Sequence, residues 1–202
     1  MNEYHKPFIM KNYTKLLFIA VVLLTGTVVS AQKHAGIKAG ANYSGLSGYS
    51  GGKSINAHAG LFAQWDIDKN WFARPELLWS SGKQRYSVAD VESTSTQSLI
   101  THFVSLPVII RYKASSKVFI DAGPQFSFLV SAKDVTSGGA KADVKRSLRS
   151  TDIAFSAGAG YLITKKAEFY LRYSHGLTDL TLYDNNKDAT RLWQAGIAFS
   201  FK

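Results

Sequence analysis

The chain has 202 residues and a formal net charge of +10, and 46% of its residues are hydrophobic. Its basic residues are scattered, with no dense basic run and no nucleic-acid-binding motif, so the charge does not indicate a DNA- or RNA-binding protein. It contains no cysteine, which excludes disulfides, thiol catalysis, cysteine-based metal sites and the lipid-carrying cysteine of a lipoprotein.

An apolar run lies near the N-terminus at positions 16–29 (LLFIAVVLLTGTVV), after Lys11 and Lys15 and before Ser30 and Ala31. A basic stretch, a short apolar run and a small-residue cleavage site are typical of a secretory signal peptide. The alternative, a membrane-spanning helix, needs a longer run. We therefore predict a signal peptide over residues 1–31, cleaved after Ala31, an exported domain over residues 32–202, and Met10 as the true start.

Eight segments of the exported domain alternate apolar and polar residues and are rich in aromatic and β-branched residues, which predicts β-strands. The first four cover about 35–46, 56–67, 71–80 and 99–113. Each has one apolar face, and these four faces comprise Ile37, Ala39, Ala41 and Tyr43; Ala57, Ala59, Leu61, Ala63, Trp65 and Ile67; Trp71, Ala73, Pro75, Leu77 and Trp79; and His102, Val104, Leu106, Val108, Ile110 and Tyr112.

The last four predicted strands cover about 117–130, 150–164, 167–177 and 190–201. They repeat the pattern of one apolar and one polar face. Their apolar faces comprise Val118, Ile120, Ala122, Phe126, Phe128 and Val130; Ile153, Phe155, Ala157, Ala159, Tyr161 and Ile163; Phe169, Leu171, Tyr173 and Leu177; and Trp193, Ala195, Ile197, Phe199 and Phe201.

The connections between these segments also alternate, in length. Those at 68–70, 114–116 and 165–166 are short, whereas those at about 47–55, 81–98, 131–149 and 178–189 are long and rich in Gly, Ser, Thr and charge. Short turns at one end and longer loops at the other are typical of a transmembrane barrel in the outer membrane. The sequence therefore predicts an all-β fold, an eight-stranded antiparallel up-and-down barrel, with both chain ends on the short-turn side.

The alternation leaves open which face points outward, since a soluble ligand-binding barrel would place apolar side chains inside. Aromatic residues end the apolar rows at both rims, as in the girdles of membrane barrels: Trp65, Trp71, Tyr112 and Phe201 at one rim, and Trp79, Tyr173 and Trp193 at the other. The opposite rows carry charges of both signs: Lys38, Asp66, Arg74, Glu76, Arg111, Asp121, Asp152, Glu168 and Arg172. We therefore predict lipid outside and a closed lumen filled with ion pairs.

Several stretches resemble one family, the PorT-type outer-membrane β-barrels: GIKAGANYSGL, FVSLPVIIRYK, VFIDAGPQFSFLV, AGAGYLI and FYLRYSHGLTDL. The most specific is Phe103 to Tyr112, which consists of an aromatic residue, any two residues, an apolar residue, Pro107, three apolar residues, a basic residue and Tyr. The resemblance covers about residues 33–202. It implies an eight-stranded barrel in the outer membrane of a Gram-negative bacterium, and it implies little about activity. Ser105 departs from the pattern, where the family resemblance leads us to expect an acidic residue and a lumen ion pair.

Candidate chemistry is sparse. His102 and His175 lie on outward rows near the loop-side rim, and the alternative function of a lipid-modifying enzyme would use one of them with a nearby Ser and acid. The other polar candidates have neither metal-site nor calcium-loop spacing; they are His34, His58, Asp179, Asp184 and Asp188, and loop residues Asn185, Lys187 and Arg191 indicate no ligand. We expect no enzyme, no cofactor, and no catalytic, cofactor-binding or metal residues.

The expected partners follow from the predicted location. They are outer-membrane lipids and lipopolysaccharide, the barrel-assembly machinery during insertion, and an unknown partner of the long loops. We expect no nucleic acid among them, and we expect the barrel to be a monomer with a structural or loop-mediated role in the cell envelope.

Overall fold

A computed structural model describes residues 34–46, 54–89, 94–136, 138–145, 148–179 and 189–201. The predicted signal peptide over 1–31 and the start at Met10 lie outside these residues, as do Asp184, Asn185, Lys187 and Asp188 of the last long connection. None of the helical structure within the described part of the chain is long and apolar enough to cross a membrane.

The described residues form nine strands. In chain order they are β1 (His34–Leu46), β2 (Ser54–Asp66), β3 (Trp71–Ala89), β4 (Thr94–Lys113), β5 (Val118–Val135), β6 (Lys141–Asp143), β7 (Thr151–Leu162), β8 (Ala167–Asp179) and β9 (Ala189–Ser200). Most boundaries agree with the predicted ones to within two residues, which is the ordinary uncertainty of a strand end.

Eight of these strands close into a barrel. Each pairs antiparallel with its neighbours in the order β4-β3-β2-β1-β9-β8-β7-β5, and β4 pairs with β5 to complete the ring. Strand β6 lies outside the ring, on the edge of β5. The predicted eight-stranded antiparallel barrel is confirmed.

The three tight connections lie at one end of the barrel, the short-turn end, at residues 67–70, 114–117 and 163–166. Side-chain hydroxyls fix two of them. Ser115 Oγ accepts from the backbone N–H of Val118 at 3.1 Å, and Thr164 Oγ1 accepts from that of Ala167 at 2.9 Å. Such local hydroxyl–backbone bonds are why Ser and Thr favour turns. The opposite end is the loop end.

Two of the predicted long loops are partly strand. Strand β3 continues to Ala89 and β4 begins at Thr94, paired as far as Ala89↔Thr94, so most of 81–98 is a hairpin and the predicted loop is wrong there. Strand β5 likewise runs on to Val135 and adds β6. These extensions are rich in Ser and Thr and lack apolar alternation. Backbone hydrogen bonds pair these strands without an apolar face.

The apolar rows face outward. Large hydrophobic side chains are exposed around the ring, including Ile37, Leu61, Leu77, Val108, Ile120, Phe155, Leu171 and Ile197. The polar rows face the lumen, where Lys38, Arg74 and Arg172 are at most 3% exposed. A soluble barrel would have the reverse arrangement, because exposed apolar surface of this extent is unfavourable in water. The predicted orientation, with the apolar rows outside and the charged rows in the lumen, is therefore confirmed.

Three prolines interrupt the hydrogen-bond ladder in neighbouring strands. Each proline lies at a gap in the pairing with the preceding strand. If each register is continued across its gap, Pro75 lies opposite Ala63, Pro107 opposite Glu76, and Pro124 opposite Val108. Proline has no backbone N–H, so each gap lacks a donor. The barrel wall is thus less densely hydrogen-bonded along one diagonal line across β2–β5.

Candidate functional site

The polar lumen is the main candidate site. Of the nine charged residues predicted to line it, eight are buried, and Asp66 is the exception, being exposed at the last position of β2. Asp66 has the inward parity, but it lies at the short-turn rim, where the strand ends and water is accessible. Its assignment to the buried set was wrong. Asp152 is buried near the loop end, where its Oδ1 accepts a hydrogen bond from Thr178 Oγ1.

Glu76 is the centre of the first half of the ion cluster. Its carboxylate lies 2.9 Å from Lys38 Nζ and accepts two hydrogen bonds from Arg172, at 2.7 and 3.0 Å. Arg74 Nε lies 3.4 Å away. Three cations from β1, β3 and β8 therefore surround one carboxylate whose side chain is completely buried.

Arg111 is the centre of the second half. It makes a bidentate pair with Asp121, at 2.8 and 3.0 Å, and another with Glu168, at 2.6 and 3.1 Å. Bidentate pairs of this kind are the strongest that arginine forms. Two contacts join the halves. Arg74 Nη2 forms an ion pair with Glu168 Oε1 at 2.8 Å, without the alignment of a hydrogen bond, and Arg172 Nη2 lies 3.4 Å from Asp121 Oδ2. The two halves therefore form one cluster.

Seven side chains from five strands therefore meet inside the barrel as four cations and three carboxylates: Lys38, Arg74, Arg111, Arg172, Glu76, Asp121 and Glu168. Each buried charge has at least one opposite partner, which burial in a low-dielectric interior requires. The predicted internal ion pairing is confirmed, and it links strands on opposite sides of the lumen.

Three aromatic rings close the lumen next to this cluster. Each ring lies over a glycine of the neighbouring strand and below a cation of the ion cluster; the stacks are Gly36–Phe62–Arg74, Gly160–Phe119–Arg111 and Gly196–Tyr170–Lys38. The cation-to-centroid distances are 3.6, 3.5 and 4.0 Å in that order. These contacts are within cation–π range.

The glycines are required by close approach. A Cβ built on Gly160 would overlap the Phe119 ring, and one built on Gly36 would overlap the Phe62 ring. Aromatic side chains that cover a cross-strand glycine restore the packing that the glycine lacks. Phe62, Phe119, Tyr170 and Ala198 form a buried apolar cluster with Leu162 against it. Since all lie within a few residues of the short turns, this layer closes the lumen at the short-turn end.

Nearer the loop end, an uncharged network fills the lumen. Ser105 Oγ donates to Ser127 Oγ at 2.9 Å, and Gln125 Nε2 donates to the same oxygen at 3.3 Å. Ser156 Oγ donates to Gln125 Oε1 at 3.1 Å and lies 2.7 Å from Ser174 Oγ. Ser105, where the family resemblance leads us to expect an acid, thus belongs to a hydroxyl and amide network. Sequence reasoning missed this network, although Ser and Gln recur on the inward rows.

His58, considered above only as a metal ligand, and Gln194 are two further residues of the lumen. His58 Nε2 hydrogen-bonds to Tyr170 Oη, and Gln194 Nε2 donates to Asn42 Oδ1 at 3.1 Å. Each keeps one buried atom without a partner, His58 Nδ1 and Gln194 Oε1. These two side chains are therefore hydrogen-bonded only in part.

The two histidines proposed for a rim enzyme both face outward. His102 stacks on Trp79 with ring centroids 5.6 Å apart, and His175 Nδ1 lies 3.4 Å from Tyr173 Oη. Ser81 opposes His102 in the register, but its hydroxyl donates to the carbonyl of Ala57. No serine–histidine hydrogen bond occurs among the residues that the structure describes. In the described part of the chain, these histidines therefore contact the aromatic side chains Trp79 and Tyr173.

Metal ligation was not expected, and the described positions contain no group of three His, Cys, Asp or Glu side chains placed to hold an ion. His34, His58 and His175 lie in β1, β2 and β8. His58 is buried in the lumen and His175 is exposed on the outside. The candidates are therefore as dispersed in space as in sequence.

A family model described as "Outer membrane protein beta-barrel domain" matches residues 30–182. The chain belongs to this family. Its family and its closed eight-stranded ring show that the protein is an outer-membrane barrel. The apolar outer face of the ring agrees with that location. The alternatives of a soluble ligand-binding barrel and a lipid-modifying enzyme are not favoured.

No curated protein matches this member of the family. Among solved structures it is similar to Ail, the attachment invasion locus protein of Yersinia pestis, at 14% identity and a TM-score of 0.49, with 84% of this chain and 99% of that chain covered. It is also similar to Neisserial surface protein A, at 14% identity and a TM-score of 0.48, covering 83% and 96%. Because both TM-scores are below 0.5 and the identity is 14%, the assignment of the fold rests on the chain's own strand pairing.

Proposed function

We propose that this outer-membrane barrel is a closed structural element of the cell envelope that acts through its loop end and not by transport through its lumen. The observation that carries the proposal is the seven-residue ion cluster together with the three-ring layer beside it. An eight-stranded barrel has a lumen just wide enough for side chains to fill it. Here large side chains from five strands meet at its centre.

Conduction of ions would require this cluster to separate. Arg111 is held by two bidentate pairs and stacks 3.5 Å above the Phe119 ring centroid, so moving it would break four hydrogen bonds and one cation–π contact. Breaking a buried ion pair costs several kcal/mol. A stable open pore through the lumen is therefore unfavourable.

Conductance in planar bilayers tests this proposal. We expect no stable single-channel current from the refolded chain, with folding checked by the mobility shift of unheated samples on gels and with a porin as the positive control. Stable currents from the folded monomer would contradict the proposal. The variant F119A, which opens the ring layer, and F126A, which truncates a lipid-facing ring of the same strand, would show whether any current passes through the lumen.

The finer identity of the protein belongs to the same proposal. We infer that it is a PorT-type barrel of a Gram-negative bacterium, supported by the stretch from Phe103 to Tyr112. We also infer that a signal peptide ending at Ala31 directs its export, that the barrel-assembly machinery inserts it, and that it works as a monomer without enzymatic activity. Sequencing the N-terminus of the mature protein tests the cleavage site, with Gln32 expected as the first residue.

Absence of activity has its own assay. Incubation of the folded barrel with phospholipid and lipopolysaccharide is expected to release no acyl chains, because His102 and His175 are engaged with Trp79 and Tyr173. Acyl release that is lost in the variant H102Q or H175Q would reverse this part of the proposal.

A further inference from the structure

The loop-end rim between β3 and β5 carries a pair of outward-facing lysines. Lys83 of β3 and Lys133 of β5 both lie opposite Ile100 of β4, one from each side. Neighbouring strands lie about 4.8 Å apart, so the two lysine Cα atoms are separated by about 10 Å. Their flexible stems can bring both ammonium groups to one anion between them.

A β-bulge is the reason that Lys133 faces outward. The β4–β5 register shifts between His102, paired with Ser131, and Phe103, paired with Leu129, so Val130 is the extra residue. Leu129 and Ala132 are both buried, at 4% and 1% exposure, and Lys133 is exposed. Without the bulge, strict alternation from Leu129 would direct Lys133 into the lumen. Bulges commonly re-aim side chains in this way.

The lysines lie just beyond the aromatic girdle. Trp79 stacks on His102. Along β3, Lys83 lies four residues beyond Trp79 toward the loop end, on the same outward face. Four residues of a strand tilted by about 40° rise about 10 Å along the membrane normal. Tryptophan marks the boundary between hydrocarbon and headgroups. The lysines are therefore at the depth of lipid headgroups.

The charge around the pair is positive. Neither Lys83 nor Lys133 forms an ion pair with the other residues for which positions are described. Asp143 of β6 opposes Lys133 in the register, and its Oδ1 accepts a hydrogen bond from the backbone N–H of Lys145 at 3.0 Å. The two lysines thus have one neighbouring carboxylate, beside Lys133, and an anionic ligand would complete the charge balance.

We propose that Lys83 and Lys133 bind a phosphate group of lipid A, the lipid part of lipopolysaccharide, in the surrounding outer leaflet. The inference rests on the proposed function, because it needs the loop end to face outward. A lipid is the occupant because the same surface offers Ile100, Val104 and Trp79 below the lysines as an apolar track for acyl chains. A soluble anion would make no use of that track.

Native mass spectrometry of the refolded chain in detergent, titrated with bisphosphorylated lipid A, tests the proposal. Each surface lysine near a headgroup is worth about fivefold in affinity, so we expect the double variant K83Q/K133Q to bind about 25-fold more weakly. The matched control is K165Q/K166Q, which removes the same charge from the short turn at the opposite rim and leaves binding unchanged. The variant D143N is expected to bind severalfold more tightly.

Equal losses in K83Q/K133Q and K165Q/K166Q, or no loss in the former, would overturn the proposal. Inorganic pyrophosphate that displaced lipid A at equal concentration would also overturn it, since the site would then recognise a free phosphate and not a lipid. Both variants alter only exposed or half-exposed side chains, so folding is expected to be normal on unheated gels. Failure here is distinguishable from failure of the proposed function, which is measured by bilayer conductance of the same samples.

Discussion

Replacement of Glu76 by glutamine is the sharpest test of the lumen architecture. The substitution preserves shape and removes the negative charge from a site where Lys38, Arg74 and Arg172 converge within 3.4 Å. The cluster would change from four cations and three carboxylates to four cations and two. Removing one partner of a buried ion pair costs about 3–5 kcal/mol, because the remaining charge is left uncompensated.

We expect E76Q to fall near the lower end of that range, at about 3 kcal/mol, since the glutamine oxygen still accepts a hydrogen bond from Arg172. The double variant E76Q/K38M removes one of the stranded cations and should recover part of the loss. The control is D68N, which makes the same kind of change in an exposed turn and should alter stability by less than about 0.5 kcal/mol.

The assay is equilibrium unfolding by urea of the barrel reconstituted in lipid vesicles, followed by tryptophan fluorescence and extrapolated linearly to zero denaturant. A loss of less than about 1 kcal/mol for E76Q, or no recovery in E76Q/K38M, would refute the reasoning, because the lumen charges would then be effectively solvated.

Three further changes have expected outcomes. The variant G160A should lower the free energy of unfolding by about 1–3 kcal/mol in the same assay, because its Cβ would overlap the Phe119 ring. The control G138A, whose Cβ would meet nothing within 4 Å, should leave stability unchanged. Equal effects of the two variants would refute the close-approach argument. The variant S105D should be destabilised by several kcal/mol and S105A by about 1 kcal/mol, since Ser105 is buried and hydrogen-bonds to the uncharged hydroxyl of Ser127. A stable S105D would show that the expected acid is tolerated. Hydrogen exchange measured by mass spectrometry should be faster along the proline line of β2–β5 than in β7–β9 at the same depth, and uniform protection would contradict the ladder gaps.

Much of the fold could be predicted because a barrel strand repeats every two residues. Alternation placed Ile37 and Lys38 on opposite faces, and the aromatic ends and charged rows indicated which face is outside. It failed where the rule has no physical basis: at Asp66, which lies at the rim, and at 81–98, where strands continue beyond the membrane without an apolar face.

The sequence by itself determined the number of barrel strands, their alternating faces, the tight turns and the presence of a charged, filled lumen. These properties depend on local periodicity and composition, which a linear chain displays directly. Only the tertiary structure decided which charges pair, such as Arg111 with both Asp121 and Glu168. It also decided that Ser105 joins a hydroxyl network and that the bulge at Val130 directs Lys133 outward. Those outcomes depend on register and closure, which join residues distant in sequence and shift every side chain beyond a single inserted residue.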